Sequence, residues 1–195
     1  ERDVKRYVSV CLDIAKNFSD FVVEGREFPF KASIGGIDVV VFPSGKGIKT
    51  PYTPEEKFAP SYNAEELRIA TKEEYMAKTG YSPSVSVRAL EEAQENVDAA
   101  NVVLRHEQRM RLASMAASAY ACLFVLITAA NPSEFLQFEH LDALEIEKSM
   151  VKKELTSIKF RANGKSTRYA IGRRTGIHLL RDYLKLREWI LNGNE

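Results

Sequence analysis

Cysteine is scarce in this chain. Two residues, Cys11 and Cys122, among 195 are too few for a disulfide framework or a cysteine-built zinc cluster. Both stand in apolar helical surroundings, where a free cysteine behaves as a small buried hydrophobe. The three histidines, His106, His140 and His178, have no second ligand at metal spacing, so no metal site is expected. Charge of one sign is lacking too: 28 basic residues face 27 acidic ones, a net of +1, which excludes a uniformly basic coat for nucleic acid. No uninterrupted apolar run reaches the ~18 residues of a membrane span, and no signal-peptide pattern opens the chain, so a cytoplasmic protein is expected. A G-x-S-x-G elbow, a glycine-rich dinucleotide fingerprint and paired cysteines are all missing. Ser44-Gly45-Lys46-Gly47-Ile48-Lys49-Thr50 has the composition of a phosphate loop without its spacing, and prolines rather than a helix follow it; it reads as an ordinary loop.

What is present supports a folded protein. With 45% hydrophobic residues over this length, the chain can bury the core of one ordinary domain or two small ones. It opens on Glu1 rather than methionine and stops directly after an amphipathic segment, so a fragment of a larger protein is expected. The near-neutral total hides an asymmetry: Asn63–Ala100 carries eight acidic and four basic residues, whereas Met150–Glu195 carries eleven basic and four acidic ones. A polyanion is therefore expected to meet the C-terminal quarter.

Periodicity divides the chain into elements. Val4, Tyr7, Val8, Cys11, Ile14, Ala15, Phe18 and Val22 recur at helical spacing, giving an amphipathic helix over Val4–Val23. Ile37–Phe42 reads as a strand after Gly35-Gly36. Pro43–Tyr62, with four prolines, reads as a long loop. Short helices are expected near Ala64–Ala70 and Lys72–Lys78, the second broken by Gly80-Tyr81-Ser82-Pro83. A helical region then starts at Ser86, polar and acidic to about Gln108. Over Leu112–Ala130 it is nearly all apolar, with Met115, Ala116, Ala119, Tyr120, Leu123, Phe124 and Ile127 as a wide buried surface. Asn131-Pro132-Ser133-Glu134 has the chemistry of a helix N-terminus, opening a short helix to Phe138.

The clearest local signal lies further on. Leu155–Arg161 and Ser166–Ile171 are strand-like runs joined through Asn163-Gly164, a pair that favours the positive φ angles of a type I′ turn. That turn pairs Arg161 with Ser166, Lys159 with Arg168 and Ile158 with Tyr169. One face then carries Ile158, Phe160, Tyr169 and Ile171; the other carries Lys159, Arg161 and Arg168. Like charges across a ladder repel, a cost that an anionic partner relieves. With Arg173 and Arg174 just beyond, five cations lie on adjacent elements suited to phosphate contact. A helix over Ile177–Leu191 follows, with Ile177, Leu180, Leu184 and Leu191 on its buried side. The reading is a mainly α protein with a small antiparallel β-hairpin, an α+β fold.

From about Arg109 onward the order of elements resembles the first half of the catalytic domain of the tyrosine recombinases, the phage-integrase family. An apolar helix runs into Thr128-Ala129-Ala130-Asn131-Pro132-Ser133-Glu134-Phe135, where the family has T-G-[LM]-R-x-[SG]-E-[LI]. Asp142, the hairpin and the amphipathic helix follow in the family's order. The resemblance implies an integrase-like core over residues 86–195, a partial catalytic domain. Residues 1–85 form an N-terminal helical region with a short strand and a proline-rich loop. It implies DNA recombination and integration in the parent protein: a tyrosine attacks a phosphodiester without metal or cofactor, arginines stabilise the charged phosphorus, and a hairpin lysine protonates the leaving oxygen. Lys165 at the hairpin tip matches that lysine best, with Lys159 second. Lys159, Arg161, Arg168, Arg173 and Arg174 are the DNA-binding set. The implied partner is double-stranded DNA, with self-association on that DNA and no membrane. Asn131, however, stands where the family has its first catalytic arginine, leaving Glu134 as a helix-capping residue. His178 and Arg181 come too early for the family's H-x-x-R box, as Tyr183 does for its nucleophile, so the chain is expected not to cleave DNA alone. The alternatives are a non-catalytic DNA-binding module on a degenerate version of this scaffold, and a helical protein-interaction domain that touches no nucleic acid.

Overall fold

In the computed structural model, residues 2–43, 59–128, 157–162, 165–170 and 175–192 are described, the two segments within 157–170 as backbone. The expected loop tip at 44–58, Asn131 with its helix to Phe138, Asp142, and Arg173 with Arg174 lie outside the described residues. Among the described residues the chain is mainly helical, with small antiparallel two-stranded sheets. It divides into two units, Glu24–Leu112 and Glu1–Val23 with Ala113–Glu195. The expected division at residue 85 does not coincide with this partition, which leaves the whole segment Glu24–Leu112 together.

In the unit Glu24–Leu112, β1 (Phe30–Ile34) and β2 (Ile37–Val41) form a hairpin, with Ile34 opposite Ile37. Gly35 and Gly36 have φ of 61° and 79°, and such a pair of positive angles matches the twist of the flanking strands. Sequence reading found β2 and missed β1. Two further short strands, β3 (Tyr62–Asn63) and β4 (Arg68–Ile69), replace the helix expected over Ala64–Ala70. Local bonds oppose that helix: the Asn63 side-chain oxygen accepts from the backbone N–H groups of Glu65 and Glu66 at 3.1 and 3.0 Å. Leu67 then turns the chain at φ 54°.

The helix α2 (Lys72–Thr79) starts on a capping box in which Thr71 accepts from the Glu74 backbone and the Glu74 carboxylate accepts from Thr71 N–H. It stops at Gly80, whose φ of 71° is left-handed and whose N–H donates to Met76 O. Next, α3 (Pro83–Val102) begins on proline, tolerated there because that N–H would have no partner in the helix. It ends at Val102, earlier than expected, and an irregular turn leads to α4 (Glu107–Thr128). Packed between β2, β3 and α3 are Val40, Phe42, Tyr62, Ala93 and Val97. The Phe42 and Tyr62 rings stack at 4.0 Å, and the buried Tyr62 hydroxyl donates to Pro43 O at 2.7 Å.

His106 and Arg109, an H-x-x-R spacing that by itself is a chance pair on a helix surface, both have structural work. The Nδ1 of His106 accepts from the backbone N–H of Gln108 at the start of α4. Arg109 is 1% exposed. Its Nε donates to Ala100 O at 2.8 Å and its Nη2 to Arg26 O at 2.7 Å.

The other unit contains α1 (Arg2–Val23), most of α4, the hairpin strands β5 (Ser157–Ala162) and β6 (Lys165–Ala170), and α5 (Thr175–Leu191). In α1 the buried residues begin at Cys11 and continue through Ala15, Phe18, Phe21 and Val22; Val4 and Tyr7, expected on the buried stripe, are exposed. In α4 the buried stripe is Leu112, Ala113, Ala116, Ala119, Tyr120, Leu123 and Phe124, while Met115 and Ile127 are exposed. Among the described residues α4 is the one helix long and apolar enough to cross a membrane, a test that the core helix of a soluble protein also passes. Tyr183 of α5 sets its ring edge-on to Tyr120 and Phe124 at 5.7 and 5.8 Å between centroids. Leu180 and Leu184 are buried as expected, together with Leu186; Leu191, at the last turn, is exposed.

Candidate nucleic-acid interface

The ribbon β5–β6 has the register that the Asn163-Gly164 turn dictates. Ser157 pairs with Ala170, Ile158 with Tyr169, Lys159 with Arg168, Phe160 with Thr167, Arg161 with Ser166 and Ala162 with Lys165. The last pair leaves two residues to join the strands, the loop length that selects a type I′ or II′ turn. Strand positions alternate between faces, so Lys159, Arg161 and Arg168 occupy positions of one face. Lys159 and Arg168 are direct partners across the ladder.

The same alternation separates Lys165 from that trio. It pairs with Ala162 and so shares a face with Ile158, Phe160, Thr167 and Tyr169. The lysine matched to proton donation and the three cations matched to DNA contact therefore occupy opposite faces of the ribbon. The two-residue turn and the period of two were enough to derive this from sequence.

The helix α5 follows within four residues of the ribbon. Arg181 and Lys185, one turn apart, are exposed, as is His178. Sequence reading assigned neither Arg181 nor Lys185 to the interface; their spacing from the buried Leu180 and Leu184 was the available signal. Tyr183 is packed against two aromatic rings, and burial raises its pKa above the usual phenol value. That environment disfavours the phenolate a nucleophile needs. Tyr120, buried beside it, is likewise pushed up to about 12, chiefly by burial, while a hydrogen bond with Ser19 works the other way. Among the described residues no group of three His, Cys, Asp or Glu side chains is placed to hold a metal ion.

Compared with models of known families, with curated proteins and with solved structures, the chain matches none.

Proposed function

We propose that this chain is a double-stranded-DNA-binding piece of a tyrosine-recombinase-like protein, with an integrase-like core that does not cleave DNA by itself. The observation that carries the reading is the ladder register, in which Lys159 lies directly across from Arg168 and Arg161 falls on the same face. Three cations at neighbouring positions of a two-stranded ribbon are self-repelling. A phosphate backbone turns that cost into attraction and releases counterions. Arg181 and Lys185, exposed on the helix that follows the ribbon in the chain, are further cations available to the same polyanion. The absence of strand cleavage rests on Asn131 in place of the family's first arginine.

The test is binding of the whole chain to a labelled DNA duplex over a series of salt concentrations. Lys159→Ala with Arg161→Ala is expected to weaken binding and to lower the slope against log salt by about 1 to 2, one unit for each phosphate no longer neutralised. Unchanged affinity and slope would remove the ribbon from the interface. A protein-interaction module is the second reading, favoured by the exposed run Val102, Val103 and Leu104 at the end of α3 and in the turn after it. Duplex binding absent even at low salt selects it.

A further inference from the structure

The helix α1 groups with α4, the ribbon β5–β6 and α5 in one unit, and it packs against α5. That unit carries sixteen basic and thirteen acidic residues, the other unit twelve and fourteen. The excess of positive charge therefore lies with the ribbon, and α1 contributes to it at one end.

Buried Cys11, Ala15, Phe18 and Val22 fix the side of α1 that is turned to the core. At ~100° per residue, Arg2, Lys5 and Arg6 fall on the opposite side. They are spaced i, i+3, i+4, and all three are exposed. Ser9, also exposed, continues that side, and the half-buried Asp13 interrupts it.

Helix stability does not ask for this arrangement. The first turns of a helix carry the positive end of the backbone dipole, which favours an acidic residue such as Asp3 and disfavours cations. Arg2 and Arg6, four residues apart, also repel one another along the helix surface. Core packing does not ask for it either, since these side chains stand in solvent. Charges set against local preference without a gain in burial point to a partner.

We propose that Arg2, Lys5 and Arg6 form a second phosphate-contacting surface, by which α1 holds the backbone of the same DNA duplex that the ribbon meets. The inference rests on the DNA-binding reading above and extends it to the N-terminal helix. A polyanion relieves both local costs at once and releases counterions as it does so. The far half of α1 anchors the near half: Phe18, Phe21 and Val22 are 0% exposed, so the cations are carried on a fixed rod. Presenting them that way leaves little backbone to be ordered on binding. An anionic membrane is the competing partner for a cationic amphipathic helix, but it would bind through the apolar side. On that side Val4 and Tyr7 are exposed, and from Cys11 onward the stripe is buried in the core, which leaves little area to insert.

Four forms of the whole chain are titrated with a labelled duplex over a series of salt concentrations. They are the parent, Arg2→Gln with Arg6→Gln, Arg2→Lys with Arg6→Lys, and the ribbon pair Lys159→Ala with Arg161→Ala. The glutamine pair is expected to bind roughly 10- to 100-fold more weakly near ~0.1 M salt and to lower the slope against log salt by about 2. The lysine pair should stay close to the parent, because neutralising a backbone phosphate needs the charge more than the guanidinium fork. The glutamine pair should melt no lower than the parent, since the lost cations stood at the unfavourable end of the helix dipole. An unchanged slope in the glutamine pair beside a lowered slope in the ribbon pair would overturn this proposal and leave the ribbon reading standing. Absence of duplex binding by the parent would remove both. Binding lost in step with a fall in melting temperature would make the cations structural and overturn the proposal. So would phosphatidylserine vesicles that bind the parent and not the glutamine pair while duplex binding is the same for both.

Discussion

Replacing Arg109 with methionine tests whether a buried cation holds the Glu24–Leu112 unit together. The guanidinium donates to Ala100 O at 2.8 Å and to Arg26 O at 2.7 Å, and its central carbon lies 5.3 Å from the centre of the Phe28 ring. Ala100 belongs to the last turn of α3, where carbonyls have no partner within the helix. Asn101, the next residue, forms two bonds to the backbone of Phe28, accepting from its N–H at 2.8 Å and donating to its carbonyl at 3.0 Å. Arg109 and Asn101 thus fasten the segment before β1 to the end of α3. Methionine retains much of the side-chain volume and leaves two carbonyls without their charged donor. Hydrogen bonds to charged groups contribute ~1.5–3 kcal/mol each, and a desolvated cation over a ring about 1–2 kcal/mol. Burial opposes the charge and lowers the Arg109 pKa, with Glu27 partly offsetting it, so the sum is reduced to a net loss of about 3–5 kcal/mol. The assay is amide hydrogen exchange followed by mass spectrometry on peptides from 24–112. Protection there should fall about 10²- to 10⁴-fold, at tenfold per 1.4 kcal/mol. Arg109→Lys keeps the charge but lacks the fork that reaches both carbonyls, and should recover only part of the loss. Protection in the methionine variant within about threefold of the parent would refute the reasoning, because each lost bond by itself outweighs the ~0.6 kcal/mol this represents.

Two further predictions concern α2. Glu74 accepts from Arg68 through both carboxylate oxygens at 2.9 Å and from the backbone of Thr71; Arg68 first and the Thr71 backbone next lower its pKa to about 2. A depressed carboxylate stabilises the fold above its unfolded pKa and loses that contribution as pH falls through the folded value. Glu74→Gln should therefore melt at lower temperature than the parent at pH 6, with the two melting curves converging as pH drops from about 4.5 toward 2; a gap that persists at pH 2 would rule out ionisation as its source. Gly80 at φ 71° has no atom within 4 Å of where a Cβ would sit. Gly80→Ala should cost about 1 kcal/mol from backbone conformation alone, measured by urea unfolding, and Gly80→Asn less.

Much of the fold was legible because local signals agreed with one another. α1 falls where periodicity places it and α2 stops at the Gly80 break, and the β5–β6 register follows from two residues, Asn163 and Gly164. Failure came where a short polar group outbid propensity. The stretch from Ala64 to Ala70 has helical composition, yet the Asn63 side chain takes the first two backbone donors and Leu67 completes a turn. β1 carries the signal too: Phe30, Ala32 and Ile34 alternate with Lys31 and Ser33 just before Gly35-Gly36, a period of two over only five residues. Exposure at the ends of amphipathic helices, as at Val4, Tyr7 and Leu191, follows from where neighbouring elements stop, which periodicity does not encode.

The candidate site divides along the same line. Residue types and spacing suffice to locate a cationic ribbon, since charge and turn chemistry are local properties. Deciding which cations act together takes one step more, face parity across the ladder, which the two-residue turn and the period of two supply. Parity sets Lys165 with the apolar residues and apart from Lys159, Arg161 and Arg168, so a single flat approach of a duplex to the ribbon cannot engage all four at once. If the trio meets the phosphate backbone, Lys165→Ala should leave the salt slope of duplex binding unchanged while Lys159→Ala lowers it by about 1. Equal slopes for the two variants would mean that the ribbon inserts edge-on, with both faces against nucleic acid, and would bring Lys165 back within reach of a phosphate.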